Sequence, residues 1–71
     1  MFKVFPMIRQ NNQTLHKNGQ PTPHSFATME ESDNFALDYL GAVSWFEVNL
    51  ERTPTALLFV YEDRAVYFEE D

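Results

Sequence analysis

The sequence predicts an α+β fold: a small antiparallel sheet of about four strands with one helix packed on one face, in the order β-loop-α-β-β-β. Three observations predict it. A capping signature at Thr28 opens the one stretch with helical periodicity. Apolar runs of strand length, alternating or continuous, flank that stretch on both sides. The segment Gln10 to His24 is polar and broken by Asn18-Gly19, Pro21 and Pro23. The 71 residues read as a single domain spanning 1–71, with a polar mobile loop at 10–24.

The first strand is expected from Phe2 to Arg9. Phe2, Val4 and Ile8 fall on one side, and Lys3, Phe5, Met7 and Arg9 on the other. Pro6 has no N–H to give to a ladder, which places this strand at a sheet edge or gives it a bulge. In the loop that follows, Asn18-Gly19 suits a tight hairpin turn after Thr14 to Lys17, while Pro21 and Pro23 oppose a long return strand.

Thr28-Met29-Glu30-Glu31 matches a capping box, in which the Thr hydroxyl accepts from the N3 amide and Glu31 reaches back to the cap amide. Glu30, Glu31 and Asp33 suit the positive end of the helix dipole. At 100° per residue Met29, Ser32, Ala36, Tyr39, Leu40 and Val43 gather on one arc, with Phe35 at its margin. Glu30, Glu31, Asn34 and Asp38 take the opposite arc. Gly41 supplies a residue able to adopt positive φ at the helix end.

Three strands are expected after the helix. Ser44 to Leu50 alternates, Glu51-Arg52-Thr53-Pro54 turns, Ala56 to Glu62 is almost continuously apolar, and Ala65 to Glu70 alternates again. With Asp63-Arg64 as a two-residue hairpin loop, Glu62 pairs with Ala65, Val60 with Tyr67 and Leu58 with Glu69. Phe46, Val48, Leu50, Leu57, Phe59, Tyr61, Val66 and Phe68 then share the face under the helix. Trp45, Leu58, Val60 and Tyr67 share the other, rimmed by Glu47, Glu62 and Glu69. One helix covers one face of a sheet, so the second face is expected to expose an apolar centre inside an acidic border unless the Gln10–His24 loop folds over it. That is the anatomy of a protein interface, and these seven residues are the candidate partner-binding set.

Composition narrows the function classes. A chain of this length buries only ~60–65% of its unfolded surface and often gains stability from disulfides, a metal or association. It contains no Cys, so disulfides and thiolate metal sites are excluded, which leaves association, as a homodimer or with a target, or else a well-packed monomer. The hydrophobic fraction is 44%, with seven Phe, three Tyr and one Trp, which is too apolar for a disordered chain. No run approaches the ~20 apolar residues of a membrane helix, and Met1 to Ile8 is too short for a signal segment, so a cytoplasmic location is expected.

Catalytic and metal chemistry find no support in the residue pattern. His16 and His24 have neither helical nor zinc-finger spacing. Ser25, Ser32 and Ser44 lack a nucleophile-elbow context. Asp33-Asn34 and Glu62-Asp63 lack the oxygen ligands and central glycine of a calcium loop. A single sheet-and-helix layer is expected to form no cleft, so a non-enzyme with no catalytic residue, metal or cofactor is expected.

The charge is sharply divided. Residues 1–29 hold Lys3, Arg9 and Lys17 and no acid, a balance of +3. All eleven acids lie in residues 30–71 beside Arg52 and Arg64, a balance of −9, for the overall −6. Aromatics on a sheet suit base stacking, but that acidic half opposes phosphate, so direct nucleic-acid binding is not expected. An acidic surface does suit the basic groove of a nucleic-acid-handling protein.

In small size, absence of cysteine, aromatic content and negative charge, the chain broadly resembles phage-encoded host-takeover proteins, including anti-CRISPR, anti-restriction and polymerase-inhibiting types. These global features carry the resemblance, and no motif does. It implies a small, acidic, non-catalytic inhibitor of a host nucleic-acid-handling protein. The alternative expectation is a homodimeric structural or accessory subunit that uses the second sheet face.

Overall fold

The computed structural model describes residues 1–10, 13–16, 22–54 and 56–70. Its elements are β1 (Phe2–Gln10), β2 (Gln13–His16), β3 (His24–Phe26), α1 (Met29–Leu40), a 3₁₀ turn (Trp45–Glu47), β4 (Asn49–Arg52), β5 (Leu57–Tyr61) and β6 (Arg64–Glu70). Every registered strand pair is antiparallel. The α+β class stands, with five strands along the path β2-β1-β6-β5-β4 in place of about four, and the three-residue β3 pairing with β1 beside it.

The extra strands come from the segment expected to be a loop. Gln13–His16 pairs back on β1, with Gln10 opposite Gln13 and Met7 opposite His16. A ladder is made of backbone groups, so a polar segment is able to extend a sheet edge. The proposed Asn18-Gly19 turn lies outside the described residues.

β1 is not an edge strand. β6 pairs along one side of it, and β3 and β2 share the other, β3 against Phe2–Val4 and β2 against Met7–Gln10. Pro6 falls in the gap between β3 and β2, where no N–H is required. A proline inside a sheet is tolerated there because the ladder has already been interrupted.

The helix forms as its sequence dictates. Thr28 is the N-cap, and its hydroxyl accepts from the Glu31 N–H at 3.2 Å. The Glu31 carboxylate accepts from the Thr28 hydroxyl at 3.0 Å rather than from the cap amide, so only half of the expected box is made. Gly41 closes the helix at φ 81, donating to the Leu37 and Asp38 carbonyls. Ser32, Ala36 and Leu40 are buried, and the Ser32 hydroxyl is satisfied by the Met29 carbonyl at 2.7 Å. Met29 and Val43 are exposed instead of buried, Met29 at the first helical position and Val43 beyond the Gly41 cap, where helical phase no longer applies.

Two expectations in the second half are corrected. Ser44 to Leu50 is not one strand: the Glu47 carboxylate accepts from the Val43 N–H at 2.7 Å, residues 45–47 wind into the 3₁₀ turn, and β4 starts only at Asn49. A local side-chain-to-backbone bond has outcompeted extension. The β5–β6 loop is Glu62-Asp63, not Asp63-Arg64, with Tyr61 opposite Arg64 and Val60 opposite Ala65. The register differs from expectation by two residues. Side chains alternate with period two, so the faces of β5 and β6 survive the change.

On the helix side Val4, Ala36, Leu40 and Val66 form a core, with Phe26, Phe35, Tyr39, Trp45, Phe59 and Phe68 packed on it. On the other side Met7, Leu58, Val60 and Ala65 form a second core, with Ala56 and Tyr67 against it. The Phe5 and Tyr67 rings stack in parallel on that side, their centroids 4.5 Å apart. The expected exposed apolar centre is therefore absent: Leu58 is 6% and Val60 8% exposed. Met7, Ala65, Ala56 and Tyr67 pack around these two side chains. Arg9 on β1 forms an ion pair with Glu51 on β4, across the two intervening strands, so the sheet bends until its second face is concave.

Candidate functional site

The sheet does not remain continuous along its length. The β5–β6 register ends at Phe59 opposite Val66, while β6 runs on to Glu70 against β1. The first residues of β5 belong to β4, with Leu57 opposite Arg52 and Leu58 opposite Glu51. A tight turn holds them there. The Thr53 hydroxyl donates to the Ala56 carbonyl at 3.0 Å and accepts from the Ala56 N–H at 2.9 Å, and the Thr53 N–H donates to the same carbonyl at 2.9 Å. β5 starts on β4 and meets β6 only from Phe59 onward, so a wedge opens between the two strands.

That wedge is a cleft of about 1010 Å³. Leu57, Leu58 and Phe59 line one wall and Tyr67, Phe68 and Glu69 the other, with Met7 on the concave side. Trp45 and the first turns of the helix, through Met29 and Asp33, complete the helix side. Trp45, Phe59 and Phe68 pack edge-on against one another, with ring centroids 5.3 to 6.0 Å apart, and give the cleft a rigid aromatic flank. The acids Asp33, Glu51 and Glu69 stand along its lining.

No family model, curated protein or solved structure matches the chain.

The seven candidate residues separate. Leu58 and Tyr67 line the cleft together, and Glu69 joins them. Trp45 also lines it, but from the helix side, because the 3₁₀ turn swings its ring onto Phe59 and Phe68. The assignment of Trp45 to the second face is thus corrected. Val60 is buried in the concave core. Glu62 is in the β5–β6 loop at φ 54, and Glu47 is engaged with the Val43 N–H. Among the seven, Trp45, Leu58, Tyr67 and Glu69 share the cleft.

The presence of a cleft also corrects the expectation of none. Met7, Asp33, Glu51, Phe59 and Phe68 were missed as lining residues because only diverging strands bring them together. Thr53-Pro54 is the signal the sequence offers: the turn expected there also ties Thr53 to Ala56 and so keeps the start of β5 on β4.

Chemically the cleft is an apolar trough with carboxylates. Burial pushes the Tyr67 phenol above its ordinary range, with the neighbouring Glu69 charge adding to the effect. Among the described residues, no three His, Cys, Asp or Glu side chains come together as a metal site. His24 packs against the Phe35 ring at 4.6 Å, away from the cleft lining. No helix among the described residues is long and apolar enough to cross a membrane.

Proposed function

We propose that this protein is a small acidic, non-catalytic protein-binding module that inhibits a basic nucleic-acid-handling protein, in the manner of phage host-takeover proteins such as anti-CRISPR or anti-restriction inhibitors. The observation that carries this reading is the cleft in which Trp45, Leu58, Phe59 and Phe68 lie beside Asp33, Glu51 and Glu69. An apolar anchor site with carboxylates nearby matches a partner whose contact surface is basic and partly apolar. The exposed helix acids Glu30, Glu31 and Asp38 extend the negative field beyond the cleft. Such a field speeds docking onto a groove built for phosphate.

The test uses the tagged protein as bait at low ionic strength in host lysate, followed by mass spectrometry and by assay of the captured enzyme. Capture of a nucleic-acid-handling protein, inhibition of its activity and steep weakening of binding at high salt are the expected results. Capture of no such protein at low salt would overturn the reading.

The alternative reading, a homodimeric structural or accessory subunit, rests on a different observation. Phe46 is fully exposed, and Val43 and Leu50 near it in the chain are also exposed. Sedimentation across a concentration series tests it: a dimer held by these side chains persists at high salt and is abolished by Phe46→Asp.

A further inference from the structure

Pro6 fixes which backbone groups of β6 face the cleft. In an antiparallel ladder successive residues turn their N–H and C=O groups alternately to the two sides of the strand. Pro6 lies opposite Val66 and has no N–H, so the even-numbered residues of β1 turn away from β6 and the odd-numbered ones toward it. The Arg9 N–H, which donates to the Asp63 carbonyl at 2.8 Å, agrees with that phase. Lys3, Phe5 and Met7 therefore bond to Glu69, Tyr67 and Ala65. Val66, Phe68 and Glu70 turn their backbone groups the other way, toward β5.

For Val66 that neighbour is present as Phe59, but among the described residues no strand is registered beside Phe68 or Glu70 on that side. Extending the β5–β6 register would place Leu57 opposite Phe68 and Leu58 opposite Tyr67. Those residues line opposite walls of the 1010 Å³ cleft instead. Among the described residues the cleft is thus bounded along β6 by strand edge, and an edge is a template for a further strand.

We propose that the cleft between β5 and β6 receives an extended segment of the partner protein bearing alternate apolar and basic side chains, hydrogen-bonded to the Phe68 and Glu70 edge of β6. This deepens the protein-binding reading above and rests on it. A strand lying there turns alternate side chains to the two faces of the sheet. One set meets Trp45, Phe59 and Phe68 on the helix side, where apolar residues fit. The other meets Tyr67 and Glu69 on the concave side, where lysine or arginine fits. Charge selects a basic segment over an acidic one, and the backbone edge selects an extended one over a helix.

The probe is an acetylated, amidated octapeptide of alternating lysine and valine, titrated by calorimetry and followed by ¹⁵N amide shifts. Binding that moves the Phe68 and Glu70 amides is expected. Glu70→Pro deletes an edge N–H that the β1 ladder does not use, and it is expected to weaken binding roughly tenfold, the equivalent of one buried hydrogen bond. N-methylation of alternate peptide amides is expected to abolish binding, and this arm serves if Glu70→Pro impairs folding. Phe46→Asp, outside the cleft, is expected to leave binding unchanged. The proposal is overturned if the peptide fails to bind, if N-methylation has no effect, or if folded Glu70→Pro binds as tightly as the parent. The protein-binding reading is judged separately. If the enzyme captured from lysate binds the parent and Glu70→Pro equally, the strand-addition proposal falls and that reading stands; if no enzyme is captured, that reading falls too.

Discussion

Arg9 on β1 and Glu51 on β4 form an ion pair although β6 and β5 lie between their strands in the ladder. Strand spacing is ~4.8 Å, so three steps across a flat sheet span roughly 14 Å before any offset along the strands. Contact between the two side chains requires the sheet to bend. Met7, Leu58, Val60 and Ala65 pack together on that second face.

Glu51→Gln removes the pairing charge with little change of shape. The Glu51 side chain is 38% exposed, so solvent screens the pair, and the expected cost is ~0.5 kcal/mol in a urea titration. The more sensitive measurement is hydrogen exchange, in which the β4 amides are expected to lose protection while those of β1 keep theirs. Equal exchange in both strands would show that the pair does not hold the curl.

Trp45 and Phe46 are neighbours with opposite fates. Trp45 packs on Phe59 and Phe68, whereas Phe46 is fully exposed. Trp45→Ala is expected to destabilise the fold by ~2–3 kcal/mol, below the usual cost of a fully buried aromatic because the residue is only half-buried. Phe46→Ala is expected to change stability by less than ~0.5 kcal/mol. Denaturant midpoints of the two variants check the contrast, which reverses if the 3₁₀ turn is instead a strand.

Glu62 holds a positive φ of 54 at the first position of the two-residue loop between Tyr61 and Arg64. Tight hairpin turns favour glycine there, because a side chain crowds the backbone in the left-handed region. Glu62→Gly is expected to raise stability by ~0.5–1 kcal/mol, the relief exceeding the added entropy of the unfolded chain. Thermal unfolding provides the readout. A lowered midpoint would contradict the turn geometry.

Tyr39 links the helix to the sheet. Its hydroxyl donates to the Met7 carbonyl at 3.0 Å, and Arg64 lies over its ring while donating to its carbonyl at 2.6 Å. Burial raises its phenol above the ordinary value of 10.0; the Arg64 charge opposes this and Asp63 adds to it. A folded-state value above the unfolded one means that the stabilisation is complete below pH ~10 and is lost as pH rises through the folded-state value. Tyr39→Phe is expected to cost ~1 kcal/mol at neutral pH through the lost hydrogen bond and to flatten the alkaline decline. Urea unfolding from neutral to strongly alkaline pH measures both effects.

The elements were legible wherever local chemistry decided them. Thr28 and Gly41 bound the helix in the sequence as they do in space, because a cap hydroxyl and a glycine with positive φ act within one turn. Period-two alternation likewise assigned Phe59 and Phe68 to one face and Leu58 and Tyr67 to the other, and a two-residue error in register left that intact. Trp45 was misplaced because its ring direction follows from the 3₁₀ turn and the Val43 N–H donating to the Glu47 carboxylate, which alternation does not encode.

Sequence alone determined the α+β class, the helix and its caps, the pairing partners among the last strands, and a charge of −9 in residues 30–71 against +3 before them. Tertiary structure decided that the second face is concave and that β5 parts from β6 beyond Phe59. The division is physical. Caps and alternation are interactions between near neighbours, whereas curvature and strand divergence arise from contacts such as Arg9 with Glu51, whose partners lie far apart in the chain.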